Sequence, residues 1–308
     1  MGRRTSLFAT AKVNLAAITP LSPTSRGWRL LTLFSHLPDY VRYYLKLRRS
    51  AYGRAIPRGD PFFERKFVTP YLANFLTAEQ RLTIQSHLCE FVDRTFCPQS
   101  VLPQLRDGLV LWRKPCDDDV VTMVLGLPKR TMLEGDLTLE LLVNATMIYR
   151  LSFSFVPGHV LKMDDHHVLL IGGSQGVQGT ADHTRRVARQ NAEIPPSGLL
   201  LTGLRAIAEA LDITTLAGVS AASQSVVHAA PDLHRNAYDD LWLTHHGTLR
   251  NGIFIMPVKP TDDAVIEGSH RARTRRKRRY RQGLQAEFVS LFSRYLTGAD
   301  AIAAAPAE

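Results

Sequence analysis

Three arginines, Arg185, Arg186 and Arg189, stand just upstream of the sequence Pro195-Pro196-Ser197-Gly198-Leu199. That stretch reads as the start of a helix. Guanidinium groups beside the free N–H groups of Ser197, Gly198 and Leu199 would suit an anion, because the helix dipole favours negative charge at that end. The ligand so implied is a phosphate-bearing small molecule. Glycines and arginines at strand ends also occur in βαβ cores that bind nothing. A second set of titratable side chains comprises two histidine pairs, His166-His167 and His245-His246, with Asp164-Asp165 beside the first. Four histidines could hold a metal or supply a base. Adjacent residues on a strand face opposite ways, so each pair offers at most one easy ligand, and no metal is expected. His167 and Asp165 remain as general-base candidates.

These residues must be positioned by the stretch from His167 to Ser220. It opens with Val168-Leu169-Leu170-Ile171 and breaks at Gly172-Gly173-Ser174-Gln175-Gly176, which predicts a buried strand followed by a tight turn. A basic loop carrying His183, Arg185, Arg186, Arg189 and Gln190 comes next. Leu200, Leu204, Ile207 and Leu211 then repeat at helical spacing, with Ser197 as the N-cap and the end near Asp212. Thr214 to Ser220 reads as a second strand. Strand, loop, helix and strand make one βαβ-like unit with parallel strands.

Around that unit the period changes twice. Trp28 to Tyr52 is helical in pattern, with Arg42, Lys46, Arg48 and Arg49 in its second half. A basic amphipathic helix with aromatics suits either an anionic membrane surface or packing with a solvated face. Residues 77–95 form another helix, opened by Thr77 and Gln80 as a capping box. Strands are expected at 109–112, 120–125, 137–143 and 148–155, the last alternating apolar and polar residues. They read as an antiparallel meander running into the central unit. Ser223 to His234 reads as loop, Tyr238 to Trp242 as a short element, and 252–258 as a last strand. The expected organisation is a disordered tail at 1–26, a helical region at 27–100, a mixed core at 101–262, a polybasic segment and helix at 263–299, and a disordered tail at 300–308. Pro57 to Pro61 reads as a linker.

Composition narrows the function classes. The net charge is +10, but Arg271 to Arg281 holds eight basic residues and no acid, and the remainder carries only +2. This is a nearly balanced chain with one basic run, which argues against a nucleic-acid-binding domain. Tyr280 is the one aromatic in that run, so aromatics for base stacking are lacking. Three cysteines, Cys89, Cys97 and Cys116, fit neither a disulfide framework nor a zinc site and point to a reducing compartment. No apolar run reaches the length of a membrane span.

The order of several landmarks resembles the VirK/YbjX family of bacterial proteins. They are Glu134-Gly135-Asp136-Leu137-Thr138-Leu139, Tyr149-Arg150-Leu151-Ser152-Phe153-Ser154-Phe155, Ile171-Gly172-Gly173-Ser174-Gln175-Gly176, Leu199-Leu200-Leu201, Leu216-Ala217-Gly218-Val219-Ser220, Tyr238-Asp239-Asp240-Leu241-Trp242 and Ile253-Phe254-Ile255-Met256-Pro257. The match covers roughly residues 30 to 285. Two departures stand out: Ile194 to Gly198 replaces a Gly-x-Arg-Pro element, and Ala221-Ala222-Ser223-Gln224 replaces an Asn followed by His. The resemblance implies a role in bacterial virulence and in resistance to cationic antimicrobial peptides.

More loosely, the arrangement looks like a GNAT-type acyltransferase core, in which a loop and a helix start hold the pyrophosphate of acyl-CoA. The proper Arg/Gln-x-x-Gly-x-Gly/Ala loop is absent, and Arg189 to Gly198 is only an analogue. The resemblance implies an α+β, GNAT-like fold, acyl-CoA as cofactor, and Tyr238 as the acid that protonates the departing thiolate. The expected protein is a cytoplasmic acyltransferase-like enzyme acting on an amine or hydroxyl in an envelope or secondary-metabolite pathway. The alternative is a non-catalytic accessory protein, peripheral on the inner membrane through its basic segments.

Overall fold

The computed structural model describes residues 23–56, 63, 66–97, 101–129, 131–225, 231–259 and 271–296. The expected tail at 300–308, the linker at Pro57 to Pro61 and most of the tail at 1–26 lie outside them. The chain is an α+β protein, built among the described residues on one mixed sheet of eight strands. In chain order the strands are β1 (Leu109–Cys116), β2 (Asp119–Gly126), β3 (Leu137–Val143), β4 (Thr146–Pro157), β5 (His167–Gly176), β6 (Thr215–Val219), β7 (Thr248–Arg250) and β8 (Ile253–Pro257). Their spatial order is β1-β2-β3-β4-β5-β6-β8-β7. All neighbours are antiparallel except β5 and β6, which run parallel. The meander and the parallel unit expected from the sequence are both present.

The N-terminal helical pattern divides into α1 (Pro23–Ser35), α2 (Leu37–Arg49) and α3 (Ala51–Ala55). Pro38 opens α2, and the Ser50 hydroxyl caps α3 by accepting from the Gly53 N–H at 2.8 Å. Helix α4 (Ala78–Thr95) carries the capping box of Thr77 and Gln80 in both directions. A short α5 (Leu102–Asp107) leads into the sheet. One sheet face is buried by Leu139, Leu151, Phe153 and Phe155 in the large core, and the other by Val156, Leu170 and Val219 against Tyr71, Leu72 and Leu76. No helix among the described residues is long and apolar enough to cross a membrane.

Four local expectations are corrected. Gly172 and Gly173 do not turn the chain: β5 continues to Gly176. The glycines are there for close approach. A Cβ at Gly172 would lie 2.1 Å from the Glu134 carbonyl oxygen, and one at Gly173 would lie 2.0 Å from the Glu134 carboxylate. The basic loop is a helix, α6 (Ala181–Gln190), with Val187 as its one buried residue. A helix with a single apolar contact shows no apolar period, which is why sequence pattern misses it. Ser197 is not the N-cap of α7 (Pro196–Ala210), since Pro195 occupies that position. Finally, the loop assigned up to His234 ends earlier, at α8 (Pro231–Thr244). The polybasic run opens one continuous helix that extends through Phe288 and Leu291, α9 (Arg271–Ser293).

Candidate functional site

The parallel pair sets the geometry. β5 and β6 are paired only from Val168–Thr215 to Ile171–Gly218. Beyond that point β5 runs on through Gly172 to Gly176, and β6 stops at Val219. The register of β4 against β5 shifts between Ser152 and Phe153, which bends β5 at Gly172. The two strands therefore part at their carboxyl ends, leaving a gap in the pairing, the place where open α/β sheets commonly receive ligands.

Tyr238 of α8 lies across this gap. Its phenol oxygen accepts from the Ser174 N–H at 3.3 Å. Two neighbours on α8 fix its direction. The Asp239 carboxylate accepts from the Ala221 N–H at 2.9 Å. Trp242, one turn later on the same face, donates from Nε1 to the Val219 carbonyl at 3.1 Å. Its ring lies so close to Gly218 that a Cβ there would be 2.6 Å away. α8 is thus locked onto the end of β6, and Tyr238 must point at β5.

Around Tyr238 lie polar side chains from three further elements. Tyr149 of β4 and Ser174 of β5 share a hydroxyl hydrogen bond of 2.9 Å. Ser197, in the first turn of α7, lies close enough to the Tyr149 phenol to oppose, with Ser174, the rise that burial causes. Glu134, 3% exposed, accepts from Gln175 Nε2 through Oε1. Gln175 in turn accepts from Arg150 Nη2 at 2.7 Å. The other carboxylate oxygen of Glu134 is buried and has no hydrogen-bond partner among the described residues. Burial pushes the Glu134 carboxyl up to about 7, with Arg150 and Gln175 only partly opposing. Burial, with the charge of Glu134, raises the Tyr238 phenol well above its ordinary value. The gap thus holds a carboxyl poised to exchange a proton near neutrality and a phenol that stays protonated, the two partners that general base and general acid work require.

Helix α7 meets this gap at its N-terminus. Pro195 and Pro196 carry no N–H, and the Leu199 N–H is already given to the Pro195 carbonyl at 3.0 Å. Pro196, Gly198 and Leu199 are buried and Ser197 half-buried.

A model of the family described as "Protein of unknown function (DUF535)" matches residues 24–285. The chain belongs to the DUF535 family. This is the VirK/YbjX family that the landmark order resembles. Searches of curated proteins and of solved structures returned no match.

The DUF535 landmarks fall on the gap: the stretches of Glu134, Tyr149, Gly172-Gly173 and Tyr238 all contribute to it. Other residues singled out from the sequence do not. Arg185 pairs with Asp182 on its own helix, and Arg186 pairs with Asp119 at 3.2 Å. Arg189 is exposed in the last turn of α6. The three arginines therefore do not form a cradle over the start of α7. His167 and Asp165 lie at the opposite end of β5. Seven residues separate His167 from Ser174, about 23 Å along a strand. Asp165 accepts from the Thr214 and Thr215 hydroxyls at 2.6 and 3.0 Å, which pins the first residues of β6. His167 lies in a cleft of ≈ 390 Å³ with His87, Glu90 and Arg94, its ring 5.1 Å from that of His87. Burial pulls His87 down to about 4, so this pair is neutral at physiological pH. Tyr238, His167 and Asp165 thus do not make one constellation. The residues that sequence pattern missed are Glu134, Tyr149, Ser174 and Gln175. Glu134 stands next to Gly135, where a Cβ would lie 2.5 Å from the Phe153 nitrogen, and that was the available signal.

Proposed function

We propose that this DUF535 protein is an acyltransferase-like enzyme whose acyl donor, an acyl-CoA, enters the gap between β5 and β6. The observation that carries this reading is Tyr238, held by α8 across the carboxyl ends of a splayed parallel pair, with Glu134 raised to about 7 beside it. The antiparallel meander, the parallel pair β5–β6 and the helix between its strands support the likeness to a GNAT-type core. In this reading Glu134 takes the proton from an attacking amine or hydroxyl. Tyr238 gives its proton to the departing thiolate. The Ser197 and Gly198 N–H groups face the donor's phosphates. The acceptor belongs to envelope chemistry, in keeping with the bacterial family.

A second reading, attachment to an anionic inner-membrane surface, rests on a different observation. Leu30, Leu31, Phe34, Leu37, Val41 and Leu45 of α1 and α2 are large apolar residues between 41% and 66% exposed, and Arg42, Arg48 and Arg49 lie among them. One pair of titrations tests both. The full chain is titrated by calorimetry with acetyl- to palmitoyl-CoA, and sedimented with phosphatidylglycerol vesicles. Saturable heat with an acyl-CoA is expected, and its absence across the series overturns the enzyme reading. Sedimentation that salt abolishes, and that Leu31→Asp with Phe34→Asp removes, supports the second.

A further inference from the structure

Helices α7 and α9 lie side by side in register. Arg273 pairs with Glu193 just before α7, and further along Gln285 Nε2 donates to Glu209 at 2.7 Å. The two helices therefore run in the same direction. One turn before the Gln285–Glu209 contact, Arg281 and Arg205 occupy matching positions on facing helices. The end of α8 closes the third side: Arg205 Nη2 donates to the His245 carbonyl at 3.3 Å.

This junction is charged and uncompensated. Arg205 is 4% exposed and Arg281 half-buried, and the Nε of each is buried with no hydrogen-bond partner among the described residues. Among the described residues no carboxylate lies within 4.0 Å of either guanidinium. The nearest acid along α7, Glu209, is engaged by Lys259 at 3.1 Å and by Gln285. An arginine cannot shed its charge as a buried lysine can. Burial and the neighbouring Arg281 bring Arg205 down only to about 10, and burial with the two arginines holds His245 neutral, near 3. A trapped water would satisfy a lone Nε donor, but it would not offset two guanidinium charges in a poorly solvated place.

We infer that Arg205, Arg281 and the end of α8 at His245 form a binding site for a small oxyanion of the phosphate class. Two guanidinium groups, each with a buried Nε left to donate, are a donor set that a phosphate takes. The site sits on the third turn of α7, away from the N-terminal turn that meets the Tyr238 gap, and it stands whether or not the acyltransferase reading holds. The same phosphate chemistry could come from the free ion or from a phosphate on a larger molecule.

The test is calorimetric titration of the full chain with inorganic phosphate, with thermal unfolding followed in parallel. The wild type should show saturable binding and a rise in Tm with phosphate. Arg205→Met and Arg281→Met should each weaken binding at least tenfold. Without phosphate, Arg205→Met should melt at or above the wild-type temperature, because an unpaired buried charge has been removed. A guanidinium with a purely structural role would instead give a lower Tm at every phosphate concentration. Phosphate displaced by coenzyme A but not by dephospho-coenzyme A marks the larger ligand as the source, and displacement by neither marks the free ion. Absence of saturable binding in the wild type, or binding unchanged in both variants, overturns the inference.

Discussion

Asp136→Ala should destabilise the protein by about 3–5 kcal/mol in denaturant unfolding, the largest loss expected from any single polar substitution here. Asp136 is 2% exposed and its partner Lys66 is 1% exposed. Lys66 Nζ donates to Asp136 Oδ1 at 2.8 Å and to the Gly135 carbonyl at 2.6 Å, and it lies 4.1 Å from the centre of the Tyr71 ring. The other carboxylate oxygen accepts from the Tyr71 and Ser154 hydroxyls. Removing Asp136 leaves a buried ammonium without its counter-charge and, among the described residues, the Tyr71 and Ser154 hydroxyls with only each other as acceptors. Burial already pulls the Lys66 amine below its ordinary value, with Asp136 opposing. Without Asp136 the lysine should lose its proton more readily, so the deficit of the variant should shrink as pH rises towards 10. Lys66→Met should cost less, because the carboxylate keeps its two hydroxyl donors. Equal losses in the two single variants would show that the pair is not organised as described.

Glu134→Gln should have the opposite effect and make the protein more stable at pH 8. The glutamine oxygen can still accept from Gln175, and the buried charge is gone. In the folded protein the Glu134 carboxyl is raised to about 7 from an ordinary 4.5. Below pH 4.5 both folded and unfolded chains hold the proton, and no penalty exists. Between 4.5 and 7 the unfolded chain releases it first, so stability falls as pH rises. Above 7 the penalty is constant, at about 3 kcal/mol for that gap. His87 and His245 are held neutral by burial and act in the other direction, losing stability as pH falls below 6.5. The quantity to measure is therefore the difference in unfolding free energy between variant and wild type. It should be near zero at pH 4 and should grow to its plateau by pH 8. A flat difference would mean that Glu134 is solvated. A carboxyl that reduces stability where it stands is what a proton-transfer role would produce.

Much of this arrangement was legible in the residues. The four antiparallel strands show their period because each has one consistently apolar face, and the capping box of α4 is written in Thr77 and Gln80. The parallel pair is implied by two short apolar runs separated by a helix. Gly172 and Gly173 misled for a physical reason. A glycine that permits a turn and a glycine that permits a neighbouring segment to approach look identical in one sequence, and only the position of Glu134 decides. α6 was invisible because one buried valine holds it. The site was half legible. Tyr238 and the start of α7 could be named, but Glu134 lies some forty residues upstream of Gln175, and only folding brings the two together. The arginines attracted notice by their number, yet two of the three are spent on Asp182 and Asp119 at the surface.

The central claim is that the Tyr238 phenol protonates a leaving thiolate in the gap between β5 and β6. The decisive measurement is the rate of coenzyme A release from a bound acyl-CoA, with a panel of amine acceptors at neutral pH, for the wild type and Tyr238→Phe. The account predicts acceptor-dependent release by the wild type and a fall of about 10²-fold or more in kcat for the variant, with acyl-CoA affinity changed little. Release by Tyr238→Phe at the wild-type rate, or none by the wild type with any donor that binds, would contradict it.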